Sequence, residues 1–362
     1  MLAVRYRPCP VWRRQHLRAA EASVVDRAPT QPDPPRDDPD EALGDDRSPR
    51  GRRRGRVWLR RTGIGALVSL VALTAVSVVF NLATQPRDRV DPGFGEYVRV
   101  GSSEVHYQRW GDQGSPIVLV PGFLESSIAW SAVGPVLGKN HRVYALELPG
   151  HGYTRYAGRM TLSSQAELVD GFLRALHLHR PLLVGHSLGA AVAGSVALDH
   201  PRDVGSILFA DGDGLPIDLG PRWLRAALLD SPYATTVLRV GARWPWAARE
   251  LIKTSCGPSC PAATNALVQQ WVRPLRQLSD EHALHDLMVN ADYGLTPGQI
   301  RTISVPATII WGSDDRQGGS LVATIRNLHH PPVHRIAGAG HLTMLADPEA
   351  FARAVESAAQ QK

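Results

Sequence analysis

A serine set between glycines is the residue of this chain whose surroundings read most directly as a nucleophile. Gly185-His186-Ser187-Leu188-Gly189 follows the apolar run Pro181-Leu182-Leu183-Val184 and precedes the small residues Ala190, Ala191, Ala193 and Gly194. That order predicts a buried strand, a sharp turn and a helix packed closely against a sheet. A G-x-S-x-G at such a junction is the sequence form of a nucleophile elbow, with the serine hydroxyl pushed to the tip. The amide of Leu188 and the helix N-terminus can there stabilise an oxyanion. A serine is inert without a base and an acid that orients the base, so partners are expected downstream in the order Ser, Asp, His. Val305–Trp311 reads as a strand ending in Gly312-Ser313-Asp314-Asp315. Val333-His334-Arg335-Ile336 reads as the next strand, followed by Gly338-Ala339-Gly340-His341. A further carboxylate, Asp211, closes the run Ile207-Leu208-Phe209-Ala210.

The elements upstream supply the frame for these loops. Ile117–Val120 is a β-branched run leading into Pro121-Gly122-Phe123-Leu124, with Trp130 beyond; Val143–Leu148 leads into Pro149-Gly150-His151-Gly152-Tyr153-Thr154. Together the motifs resemble the α/β-hydrolase family, from about Val98 to the C-terminus, in its serine-nucleophile, esterase- and lipase-like members. The resemblance implies a mostly parallel eight-stranded sheet flanked by helices, with a helical cap inserted after strand six. It implies Asp315 as the acid, third after the glycine that closes its strand, with Asp314 and Asp211 as the alternatives. It implies His341 as the base and the Phe123 amide as the second oxyanion donor beside Leu188. Pro121 stands where the family usually has histidine, and Arg316-Gln317-Gly318-Gly319 lacks the apolar-Pro pair frequent after the acid. Glu147 and Thr154 occupy the Asp and Ser places of a loop whose role in the family is structural. His151 and His186, although inside motifs, read as turn and packing residues.

The cap implied by the resemblance covers about residues 214–302. It holds four of the 9 tryptophans, Trp223, Trp244, Trp246 and Trp271, which predicts an apolar acyl or leaving-group pocket. The two remaining features of this region are Cys256 and Cys260. In Cys-Gly-Pro-Ser-Cys the Gly257-Pro258 turn can bring the sulfurs together, and an oxidising compartment would favour a disulfide; two reduced cap thiols are the alternative. The spacing excludes a redox C-x-x-C motif, and there is no second pair to make a zinc site.

Charge and hydropathy are divided unevenly along the 362 residues. Residues 1–61 hold 15 Arg against 9 Asp and Glu, so the whole formal charge of +6 lies there and the remainder is neutral. This Arg- and Pro-rich tail has too few apolar residues to repay ordering entropy and is expected to be disordered. Residues 62–83, TGIGALVSLVALTAVSVVFNLA, carry no charge and at ~1.5 Å per residue can span ~30 Å of hydrocarbon. Arg50, Arg52, Arg53, Arg54, Arg56, Arg60 and Arg61 stand before them. The positive-inside rule then puts the N-terminus in the cytoplasm and the domain beyond the linker, residues 84–96 and 97–362, outside. A cleaved signal peptide and a secreted product form the alternative, although no small-x-small site follows the apolar run.

The reading is a membrane-anchored hydrolase of a small-molecule ester or lipid, with no nucleic-acid partner and no metal or organic cofactor implied. Ser187 stands where a dinucleotide fingerprint needs its second glycine, which excludes that class. Carbon–carbon bond hydrolysis and cofactor-free perhydrolase chemistry share the same triad and are the alternatives, with a non-catalytic binding protein of the same fold as a third.

Overall fold

Strands that alternate between two apolar faces require a layer of helices on each side. The computed structural model describes residues 49–86, 90–156, 158–258, 260–261, 263–290 and 293–361. Its strands are β1 (Glu96–Val100), β2 (Ser103–Trp110), β3 (Pro116–Val120), β4 (Arg142–Leu146), β5 (Leu182–His186), β6 (Ser206–Ala210), β7 (Ala307–Gly312) and β8 (Val333–Ile336). They form one sheet in the order β1-β2-β4-β3-β5-β6-β7-β8. The β1–β2 and β2–β4 pairs are antiparallel and all others parallel. β3, β5 and β6 are buried throughout, as central parallel strands must be, which is why they read as continuous apolar runs.

The helices are α1 (Pro49–Ala83), α2 (Gly134–Leu137), α3 (Leu162–Ala175) and α4 (Leu188–Asp199), then α5 (Arg222–Leu229), α6 (Pro232–Arg243), α7 (Pro245–Cys256), α8 (Asn265–Val272) and α9 (Leu278–Val289) of the cap. After these come α10 (Pro297–Arg301), α11 (Leu321–Asn327), α12 (Thr343–Ala346) and α13 (Pro348–Ala359). Ile117, Leu119, Val184 and Leu208 face one core with Phe351 and Val355 of α13. Val118, Val120, Leu183 and Phe209 face the other, with Phe172 of α3 and Val192 and Val196 of α4. The small residues of α4 let it lie close against β5.

Two expected boundaries shift. The cap begins at Gly214 but is pinched off earlier than residue 302, because Leu295 N donates to Gly214 O at 2.7 Å and Ile300 of α10 is buried in the main core. The apolar helix does not start at Thr62: α1 reaches back to Pro49, so the last part of the Arg-rich segment is helical. Arginine is a good helix former and proline suits a helix's first turn, so the segment extends the apolar helix it adjoins. The rest of the expected tail, residues 1–48, lies outside the described residues.

From Ile64 onward α1 belongs to the same compact unit as the sheet and cap. Its outer turns are bonded to α6. The Thr74 and Ser77 hydroxyls meet those of Tyr233 and Thr236, and Asn81 Nδ2 donates to Pro232 O at 2.8 Å. Arg239 donates to Asn81 O, and Arg243 donates to Thr84 O at 2.8 Å, so two guanidiniums cap the end of α1 where the helix dipole is negative.

Candidate active site

The strand–turn–helix that carries Ser187 is compact enough to admit only glycine at its ends. A Cβ on Gly185 would lie 2.2 Å from Gly189 O, and one on Gly189 would lie 2.4 Å from Val120 O. Ser187 itself has φ 51° and ψ −116°, a conformation that costs a non-glycine residue of order 1–3 kcal/mol. It is held there because its N–H donates to Ala210 O at 2.9 Å while α4 starts at the next residue. The strain aims the hydroxyl out of the turn.

At that tip the structure brings together three residues from three loops. Ser187 Oγ lies 2.9 Å from His341 Nε2, and His341 Nδ1 lies 3.1 and 3.2 Å from the two oxygens of Asp315. An Nδ1–H donated to Asp315 leaves Nε2 free to accept the serine proton. The Asp315 side chain is wholly buried and also accepts the amides of Gln317 at 2.7 Å and Gly318 at 3.2 Å. Burial pushes its carboxyl up, but the His341 hydrogen bond and charge and the two amides outweigh it and hold the group below its ordinary value. The Arg316–Gly319 segment thus builds a tight turn around the carboxylate without the apolar-Pro pair. Asp314 is exposed, and among the described residues only its backbone N–H is bonded, to Ala339 O at 2.9 Å. Asp211 is buried beneath the site, accepting Gly312 N at 2.7 Å and the Thr343 hydroxyl, and burial pushes it up to about 8. Neither bonds the His341 ring among the described residues.

Phe123 and Leu188 both line the same cavity as Ser187 and His341. Leu188 is the first residue of α4, where an N–H has no partner within the helix. In the other loop the flanking amides are engaged, Gly122 N by Glu125 at 2.8 Å and Leu124 N by His151 at 3.3 Å. Among the described residues no acceptor lies on the Phe123 N–H. An oxyanion could draw on both amides. The cavity is about 430 Å³ and largely apolar, with Ile217, Leu251, Trp271, Leu287 and Met288 from the cap; of the cap tryptophans only Trp271 reaches it.

Two contacts around the site are invisible to motif reading. His186 is fully buried with Nδ1 2.9 Å from Glu125 and Nε2 2.7 Å from His341 O. A carbonyl only accepts, so Nε2 carries a proton, and the Glu125 carboxylate draws one to Nδ1. Burial opposes the charge, yet Glu125 raises His186 to about 9, and Glu125 stays below its ordinary value. The pair ties the Phe123 loop, the elbow and the His341 loop together. The second contact is the end of α7: Gly340 N donates to Cys256 O at 2.7 Å and Leu342 N to Ser255 O at 3.1 Å, gripping His341 from both sides. Cys256 is joined to Cys260 by a disulfide at this spot. Glu147 has the structural part expected of it, accepting from Ser127 and from the Tyr153 N–H.

Comparison with known proteins gives the family of the fold. Residues 117–354 match the model of the alpha/beta hydrolase family. An uncharacterized hydrolase, YugF, of Bacillus subtilis is 26% identical over 251 residues, 67% of this chain and 89% of that protein. The monoacylglycerol lipase ABHD6 of Rattus norvegicus is 25% identical over 255 residues, 66% of this chain and 73% of the lipase. Among solved structures, a membrane phospholipase A described as a bacterial virulence factor superposes with a TM-score of 0.58 at 21% identity, covering 84% of this chain and 96% of that one. With a matching family model over most of the sheet and the elbow, the chain belongs to the alpha/beta hydrolase family.

Proposed function

We propose that this enzyme is a membrane-anchored serine hydrolase that cleaves carboxylic esters of apolar acyl groups through an acyl-enzyme. The observation that carries the reading is the 2.9 Å contact of Ser187 Oγ with His341 Nε2, on the floor of an apolar cavity. Ser187 attacks the ester carbonyl as His341 takes its proton; Asp315 holds the ring's tautomer and stabilises the imidazolium. The amides of Phe123 and Leu188 receive the oxyanion. His341 then returns the proton to the leaving alkoxide, which departs as the alcohol. A water activated by His341 opens the acyl-enzyme and releases the carboxylic acid.

The anchor is supported by α1, whose segment Val57–Ala83 is long and apolar enough to cross a membrane, and by its bonds to α6. A signal peptide cleaved at the end of the apolar run would leave Arg239 without the Asn81 carbonyl it caps. The test is a series of p-nitrophenyl esters of graded acyl length, with Ser187→Ala alongside. Hydrolysis that rises with acyl length and falls by roughly 10⁴–10⁶-fold in Ser187→Ala supports the assignment. Turnover of a vinylogous diketone but of none of the esters would move it to carbon–carbon bond hydrolysis.

A further inference from the structure

Beyond α1, the exposed apolar surface of the described residues is concentrated on the cap. Outside α1, twelve large apolar side chains are exposed among the described residues, and nine of them, from Ile217 to Leu251, belong to the cap. Most soluble surfaces scatter such residues singly; a concentration marks an interaction face. The same cap is bonded to α1. The segment Val57–Ala83 has 27 residues, which at ~1.5 Å each is ~40 Å, more than the ~30 Å of a bilayer's hydrocarbon. Thr74, Ser77 and Asn81, spaced i, i+3, i+7, form one polar stripe on its outer turns, and all three bond α6. Trp244 stacks on Phe80 with ring centroids 6.3 Å apart. From Trp244, α7 runs 12 residues, ~18 Å, to Ser255 and Cys256 beside His341. Along it Trp246 is exposed and Leu251 lines the cavity, joined at the mouth by Ile217 and Leu219. Trp244, Trp246 and Leu251 therefore stand between the membrane helix and the nucleophile, along a helix that also exposes the Glu250–Lys253 pair.

We infer that the cap lies in the outer leaflet of the bilayer, held at that depth by the Thr74–Ser77–Asn81 stripe, and that the cavity takes acyl-lipid esters directly from the leaflet. The inference rests on the membrane-anchored reading above and adds to it the docking face and the route of the substrate. The polar stripe has a clear physical use. Hydroxyl and amide groups at the edge of the hydrocarbon gain more from a fixed partner than from lipid, so α6 is bound in one register. The mouth residues then meet acyl chains instead of water, and a chain passes into the cavity without crossing the aqueous phase.

The test uses the full chain with Cys9→Ser, reconstituted in phosphatidylcholine–phosphatidylglycerol vesicles. A nitroxide is attached in turn at Leu228→Cys and Trp246→Cys on the cap, and at Val322→Cys on α11 as the exposed reference. The cap labels should be relaxed by oxygen and shielded from a water-soluble nickel chelate, and the reference label should show the reverse. Cap labels as open to nickel as the reference would overturn the inference. In Thr74→Leu/Ser77→Leu/Asn81→Leu the span remains apolar. There the cap labels should become open to nickel, and hydrolysis of a bilayer-resident long-chain ester should fall about tenfold. Hydrolysis of a soluble acetate ester should hold within about twofold in the same variant, since the substitutions touch no residue of the catalytic site. Unchanged label depth in the triple variant would remove the stripe from the argument and with it the inference. The depth readout does not depend on turnover. Shielded cap labels in a protein that hydrolyses no ester would support the docking face and overturn the ester reading together with the route of the substrate.

Discussion

At the scale of single residues, the proposed site makes opposed demands on neighbouring groups. Ser187 must be strained and exposed to its base, and Asp315 must be buried yet ionised. A fluorophosphonate should label the peptide bearing Ser187, and labelling should vanish in Ser187→Ala and in His341→Ala, read by mass spectrometry of the digested protein. Surviving label in Ser187→Ala would move the nucleophile elsewhere. Asp315→Asn keeps the shape but presents an amide to Nδ1, so kcat should fall roughly 10²–10⁴-fold with the fold intact by circular dichroism. Asp211→Asn and Asp314→Asn should keep most of the activity, because neither bonds the His341 ring. If Asp211→Asn is instead the crippling change, the acid lies after β6. The Glu125–His186 pair has its own pH signature. His186 is raised from 6.5 to about 9 on folding, so the stability it contributes is complete below about pH 6.5 and is lost as pH rises through about 9. The melting temperature should therefore drop between these values, and the drop should shrink in Glu125→Gln, where the carboxylate that raises His186 is gone. An equal drop in both proteins would refute the assignment.

At the scale of elements, what the sequence makes legible is what is local. The G-x-S-x-G elbow, the Gly312–Asp315 turn and the Gly338–His341 loop each follow a short apolar strand, and strand order alone brings their ends to one edge of the sheet. Those three loops meet because β5, β7 and β8 are parallel and nearly adjacent. The partners that hold the loops are set by tertiary contact and have no spacing to read. Glu125 is a lone carboxylate in an apolar loop, and the carbonyls of Ser255 and Cys256 carry no sequence signal at all. The stripe of Thr74, Ser77 and Asn81 did carry one, as polar residues on one face of an otherwise apolar helix. The end of the cap has no spacing to read either, because α10 is helical like the cap but packs Ile300 into the sheet core. The grip of α7 on His341 yields a prediction for the disulfide. Reducing Cys256–Cys260, or replacing both with alanine, loosens the last turn of α7 and the Gly340 and Leu342 contacts it carries. We expect kcat to fall about tenfold with KM nearly unchanged, since a base displaced by a fraction of an ångström loses rate before it loses binding. Activity indifferent to reductant would separate the disulfide from the placement of His341.

At the scale of the whole molecule, charge, anchor and chemistry have to agree on one orientation. All of the excess positive charge precedes the apolar span, and the region after it is neutral. The proposed cytoplasmic N-terminus would put Cys256 and Cys260 in a compartment where a disulfide persists, so the basic cluster and the cap cysteines both support the proposed sidedness. The reversed orientation would place the hydrolase among cytosolic reductants and the arginines outside, against both. Protease added to intact cells or spheroplasts should therefore digest the region after Ala83 and spare the tail before Arg61. Non-reducing peptide mapping of the protected membrane fraction should find Cys9 alkylatable, while peptide mapping of the undigested protein should find Cys256 and Cys260 crosslinked. A free, soluble hydrolase domain beginning beyond Ala83 would identify a cleaved signal. Digestion of the tail beside a protected hydrolase domain would reverse the orientation, and with it the leaflet from which the cap could draw its substrate.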